Sequence, residues 1–142
     1  MNVPPSSDTQ IRVCGGHVGI GYKNHNEHTN KNIVLIEDYL LGVPSVILDK
    51  DSRRREMYGK ASSFRHTKFG VEYRVLSNFW MFNDILISWV FRSSVRAVNM
   101  ARSGIIIDND IMIDVRDIIN SNDVSGAKKF VKEHQIEVPK VK

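Results

Sequence analysis

The run Phe69-Gly70-Val71-Glu72-Tyr73-Arg74-Val75-Leu76 places a carboxylate and a guanidinium two residues apart. On an extended chain such residues share a face, roughly 7 Å apart at ~3.3 Å of rise each. A strand over this run puts Phe69, Val71, Tyr73 and Val75 on one side and Gly70, Glu72, Arg74 and Leu76 on the other. Exposed, the Glu72/Arg74 pair is an ordinary surface ion pair of little energetic weight. In a polar cleft, the same two groups hold a divalent cation beside an anion. A second run, Cys14-Gly15-Gly16-His17-Val18-Gly19-Ile20-Gly21-Tyr22, gives His17 three glycine neighbours on its own extended face. Glycine removes side chains there and clears space for a ligand, and neutral imidazole is a common metal donor. The run is neither a Gly-x-x-x-x-Gly-Lys phosphate loop nor a Gly-x-Gly-x-x-Gly dinucleotide fingerprint. His25 and His28 stand three apart in a polar stretch without a Cys pair, a poor match for zinc. Third, Lys50 to Lys68 carries seven basic residues against two acidic ones. That local charge of +5 exceeds the +4 of the whole chain, so the remainder is slightly acidic. A localised cationic patch points to an anion bound at one place, such as nucleotide phosphates. Within it, Arg53, Arg54 and Arg55 read as a solvated face.

Positioning these residues requires a core, and 142 residues with 42% apolar content suffice for one domain. A single cysteine, Cys14, excludes an internal disulfide framework and fits a reducing compartment. Met1–Gln10 lacks the apolar centre of a secretory signal, and the most apolar run, Ile85–Val98, is interrupted by Arg92 and Arg96. The expectation is a cytoplasmic domain over 11–135, preceded by a flexible leader at 1–10 and followed by a basic tail at 136–142. Its elements read as a strand over Ile11–Tyr22, a polar loop over Lys23–Asn32, and a helix over Ile33–Leu41. That helix would be capped by Thr29 or Asn30 and closed by Gly42 ahead of Val43-Pro44. A short buried extension at Ser45–Asp49, a basic turn or short helix at Asp51–Tyr58 and a basic loop at Gly59–Lys68 lead into the strand from Phe69. Phe82, Ile85, Leu86, Trp89, Val90 and Ala97 recur at helical spacing, predicting a long helix over Phe82–Ala101 that backs the sheet. Phe79, Trp80, Phe82, Trp89 and Phe91 then belong to that helix and its approach, not to a stacking platform for nucleic acid. Ile105–Ile107 and Ile111–Ile113 read as short extended pieces, Asp114–Asn120 and Asp123–Gln135 as helices opened by Asp caps. The fold class is α+β, a partial antiparallel sheet with helices packed on one face.

Four blocks, Cys-Gly-Gly-His-Val-Gly-Ile-Gly-Tyr (14–22), Asp-Tyr-Leu-Leu-Gly-Val-Pro-Ser (38–45), Arg-Arg-Arg-Glu-Met-Tyr-Gly-Lys-Ala (53–61) and Phe-Gly-Val-Glu-Tyr-Arg-Val-Leu-Ser-Asn-Phe-Trp (69–80), resemble the phage-encoded carboxylate–amine ligases, or amidoligases, of the glutamine synthetase/glutamate–cysteine ligase superfamily. The blocks occur in the family's order and span roughly residues 11 to 90. The resemblance implies half of a glutamine-synthetase-like fold with its site on the concave face of a curved antiparallel sheet. It implies ATP and Mg (or Mn) as cofactors, a carboxylate activated as an acyl phosphate, and an amine that attacks it. By position, His17 and Glu72 would be metal ligands, Lys60 and Arg65 would contact ATP phosphates and the transferring phosphoryl group, and Arg74 would hold the substrate carboxylate or acyl phosphate. Such chemistry asks for cation clamps rather than a protein nucleophile. Gly19 stands where the family usually has a second His, and members are about twice as long, their N-terminal half supplying acidic metal ligands. A second chain or another copy is therefore the implied partner, with small-molecule or peptide carboxylates and amines as substrates. The other reading is a remnant that keeps an anion-binding face; nucleic-acid or membrane binding is not expected.

Overall fold

A computed structural model describes residues 15–142. The expected leader at 1–10, the start of the first strand at Ile11 and Cys14 lie outside the described residues. The chain is α+β: a three-stranded antiparallel sheet, β1 (Val18–Gly21), β2 (Phe64–His66) and β3 (Gly70–Tyr73), with β3 in the centre. β1 pairs with β3 as Gly19↔Glu72 and Ile20↔Val71, and β2 pairs with β3 as Arg65↔Glu72. The alternation expected around Glu72 is present: Val71, Tyr73 and Val75 are buried while Glu72 and Arg74 occupy the other face. Phe69 departs from it at 74% exposure. Thr67 N–H bonds Gly70 C=O, so Thr67–Gly70 is the β2–β3 turn, and Phe69 sits on the turn rather than in the strand. The expected basic loop at Gly59–Lys68 thus contains an edge strand, too short and too charged to show an apolar period.

The helix after β1 begins earlier than its apolar pattern. α1 (Glu27–Glu37) is capped by Asn26, whose side chain accepts from Thr29 N–H at 2.9 Å, and Glu27 opens its first turn. The polar run hid this start because its first buried residue is Asn30. Asn30 is held by Tyr22 Oη donating to Oδ1 at 2.6 Å, with its Nδ2 donating to Gly70 C=O at 2.9 Å. Nor does the helix stop at Gly42. A π-helical turn (Asp38–Gly42), in which Val43 N–H reaches back to Asp38 C=O, carries it into α2 (Val43–Leu48). Widening the ladder there places Pro44, which has no N–H, in the first turn of the next segment. Gly42 serves packing: a Cβ on it would stand 2.6 Å from Ile119 Cδ1 and 2.9 Å from Tyr73 Oη.

α1 lies against β2 and β3, and α4 (Asp84–Arg102) packs on α1. The expectation that this long helix backs the sheet is corrected accordingly. Its buried stripe is Leu86, Trp89, Val90, Ala97 and Ala101, while Phe82 and Phe91 are 85% and 69% exposed and Ile85 is also exposed. Phe82 precedes the Asn83 cap, which accepts from Ile85 and Leu86 N–H, so it falls outside the helical period. α3 (Arg53–Met57) is the expected short basic helix. Ile111–Ile113 is helical, within α5 (Asn109–Ser121), and α6 (Val124–Glu133) starts from the Asp123 cap. These two helices close over α2 and the π-turn. Beyond them Ile136 is buried and Glu137 bonds Arg92 at 2.7 Å. Among the described residues no helix is long and apolar enough to cross a membrane.

Candidate functional site

The polar face of the sheet assembles around Glu72. Central β3 carries it, and the two registers set Gly19 of β1 on one side and Arg65 of β2 on the other. Arg65 Nη2 donates to Glu72 Oε2 at 2.8 Å. His17 Nδ1 stands 3.4 Å and Arg74 Nε 3.5 Å from Oε1. A Cβ on Gly19 would touch nothing within 4 Å, so the space above Glu72 is open, as the glycine pattern predicted. Gly15 clears the space beside it: a Cβ there would stand 2.5 Å from His17 Nε2, so glycine leaves room for the imidazole.

Burial lowers the pKa of His17, reinforced by the Arg74, Arg54 and Arg65 cations and opposed by Glu72. The ring is therefore neutral at neutral pH. With Nδ1–H turned to Glu72, Nε2 keeps its lone pair as an acceptor.

Beside this group lies a cavity of about 120 Å³ lined by His17, Arg54, Tyr58, Lys60, Ser63 and Arg74 among others. Arg54 Nε, Tyr58 Oη and Arg74 Nε are all buried, and none has a hydrogen-bond partner among the described residues. Arg74 Nε has Glu72 Oε1 at 3.5 Å, but Arg54 and Tyr58 leave two buried donors unpartnered beside one small polar cavity, a costly arrangement unless an acceptor reaches them. Arg54 is held in place by Nη1 donating to Val75 C=O at 2.9 Å. Gly59 makes that reach possible: at φ +74° it suits glycine, and a Cβ would stand 2.5 Å from Arg54 Nη1. Burial pushes the Arg54 pKa down, with Arg55 and Arg74 adding to the effect and Asp49 opposing it.

Of the residues singled out from sequence, His17, Glu72, Arg65 and Arg74 form one cluster, and His17, Lys60 and Arg74 line the cavity. Lys60 turns its ammonium to Asn120 C=O at 3.2 Å. Arg65 is committed to Glu72 on the outer side of the sheet and does not line the cavity. Sequence reasoning missed Arg54 and Tyr58. The basic triplet divides three ways: Arg53 is solvated and bonded to Asp51, Arg54 faces the cavity, and Arg55 is buried on Ser45 Oγ, Gly59 C=O and Asn122 Oδ1. Helical spacing, with residues 100° apart, carries the signal that the three could not share one solvated face.

The implied divalent cation does not fit this chain's donors alone. No group of three or more His, Cys, Asp and Glu side chains is gathered among the described residues. Magnesium takes six oxygen ligands, and here one carboxylate, already bound by Arg65, stands beside one imidazole. Compared with protein-family models, curated proteins and solved structures, the chain matches none.

Proposed function

We propose that this chain is the cationic half of an ATP-dependent carboxylate–amine ligase site, the half that grips the phosphoryl group and the carboxylate it activates. The observation that carries the reading is the small polar cavity lined by His17, Arg54, Tyr58, Lys60 and Arg74, beside which buried donors of Arg54 and Tyr58 have no partner among the described residues. Its volume suits a single phosphoryl or carboxylate group, so the rest of a nucleotide lies outside it, over the open space at Gly19. In an acyl-phosphate reaction, negative charge accumulates on the transferring phosphoryl oxygens. On this reading the guanidinium groups of Arg54 and Arg74 and the phenol of Tyr58, which line the cavity, stabilise it with little reorganisation. Neutral His17 beside the cavity is able to accept a proton when an amine attacks. The order of the four sequence blocks supports the ligase class, and on this reading carboxylates from another chain or copy would hold the metal.

An anion-binding module without turnover is the second reading. It is favoured by Glu72 being already engaged by Arg65 rather than free for a cation. Calorimetric titration of ATP, with and without Mg, into the wild type, Arg74→Ala and Glu72→Gln separates the two. The ligase half binds ATP more tightly with Mg, and Glu72→Gln removes that increment. The module binds equally with and without Mg and loses binding only in Arg74→Ala. No heat at millimolar ATP overturns the nucleotide site of this chain.

A further inference from the structure

β1 is an edge strand whose outer side is bare among the described residues. Tyr22 N–H bonds Phe69 C=O and Gly16 N–H bonds Leu76 C=O, so the even-numbered residues of this stretch turn their main-chain groups to β3. By the alternation of an antiparallel pair, Gly19 and Gly21 turn theirs outward. Among the described residues nothing guards this edge. The strand Val-Gly-Ile-Gly has no Lys, no Pro and no bulge, the devices by which edges commonly avoid pairing.

Alongside the edge runs an apolar groove of about 400 Å³ between β1 and α4, on the side of the sheet away from the cationic cavity. Its far wall is Ile87, Phe91, Val95 and Val98, a stripe along α4 beside the face that packs on α1, and no charged residue lines it. α4 is therefore apolar on two faces, of which α1 covers one. A second apolar stripe left exposed on such a helix marks an interaction surface.

We propose that the occupant is a second copy of this chain, with β1 pairing to β1 across a two-fold axis and the α4 stripes closing over the junction. The edge is self-complementary. An antiparallel two-fold centred on Ile20 sets Gly19 of each copy against Gly21 of the other, and each pair exchanges both of its main-chain hydrogen bonds. Glycine at both positions leaves no side chain to obstruct the approach. Ile87, Phe91 and Val95 expose roughly 300 Å² of apolar side chain per copy, within the range at which a patch marks an interaction site. The strand edge and the half-buried Val18, Trp80 and Val98 add to it, towards the ~1,200 Å² total of a stable interface. The result is a continuous six-stranded sheet with a cationic cavity in each half.

Sedimentation equilibrium over a concentration series tests this on the full chain. The wild type is expected to be a dimer. Gly19→Pro removes only an outward N–H, as edge strands tolerate, and shifts it to monomer. Phe91→Lys, at an exposed position, does the same by charging the groove. In the dimer the Gly19 and Gly21 amides exchange slowly with solvent; in Phe91→Lys both exchange fast, and in Gly19→Pro the remaining Gly21 amide does. A wild type that stays monomeric across the whole concentration series overturns the proposal, whatever else covers the edge. A dimer that survives Gly19→Pro overturns the strand pairing.

Discussion

Glu37 is fully buried on α1, and neither of its carboxyl oxygens has a hydrogen-bond partner among the described residues. Burial raises its pKa from 4.5 to about 8, and neighbouring Asp38 adds to the shift. The Ser94 hydroxyl on α4 pulls the other way, by more than Asp38 adds. The folded chain therefore holds a proton here that the unfolded chain has released by neutral pH. Because the folded pKa is the higher one, this group's contribution to stability is complete below pH 4.5 and is lost as pH rises through 8. A shift of that size corresponds to on the order of 5 kcal/mol across the window. Two other groups overlap its acidic part. Burial raises Asp38 from 3.8 to about 6, with the same sign, and His17, lowered from 6.5, acts in the opposite sense. Both are still titrating at pH 6.5, in opposite senses, so the fall of about 2 kcal/mol expected from there to pH 8 is assigned to Glu37 by comparison with a variant that cannot titrate at that position. Glu37→Gln supplies a neutral group of the same shape and removes that slope. Urea unfolding at half-unit pH steps is the assay. The variant should match the wild type near pH 4.5 and exceed it by several kcal/mol at pH 8. A wild-type stability that is flat from pH 6.5 to 8, or an equal slope in the variant, would rule out a proton held on Glu37.

Gly59→Ala strains a backbone at φ +74° and drives a methyl into Arg54, so phosphate affinity should fall at least tenfold in calorimetry while Arg65→Ala changes it less. Arg55→Ala leaves Ser45 and Asn122 short of a partner, costing about 1–3 kcal/mol in urea unfolding, yet the fraction that stays folded should bind phosphate as the wild type does. Asn30→Ala removes the buried amide that ties α1 to the β2–β3 turn and should cost a similar ~1–3 kcal/mol, read as a lowered unfolding midpoint. Trp89→Ala opens the contact between α1 and α4 and should cost roughly 3–5 kcal/mol by the same measurement.

Much of the site was legible because strands announce themselves by a period of two. Val71, Tyr73 and Val75 fixed the inward face, so Glu72 and Arg74 had to share the outward one, and the glycines around His17 marked the space beside them. What stayed hidden had no apolar signature. α1 starts on a polar run whose buried residue is an asparagine satisfied by tertiary partners, and β2 is three residues long with two of them charged or titratable. Gly42-Val43-Pro44 imitates a helix stop, but a π-turn absorbs the proline and the glycine is demanded by Ile119, seventy-seven positions later. Arg54 was lost among three arginines, because only the packed helix separates the cavity-facing one from its solvated and buried neighbours. Phe91 reads as core by composition, and its exposure becomes visible only once α1 is seen to take the other side of α4.

If Arg54, Tyr58 and Arg74 form a cavity built for one anionic group, the chain binds inorganic phosphate without any partner. Calorimetric titration of phosphate into the full chain, in a phosphate-free and chloride-poor buffer, decides this, with Arg54→Ala, Tyr58→Phe and Arg74→Ala alongside. The expected result is saturable one-to-one binding that each arginine substitution abolishes and Tyr58→Phe weakens. Absence of binding by the wild type, or binding indifferent to Arg54 and Arg74, would contradict an anion site in this cavity.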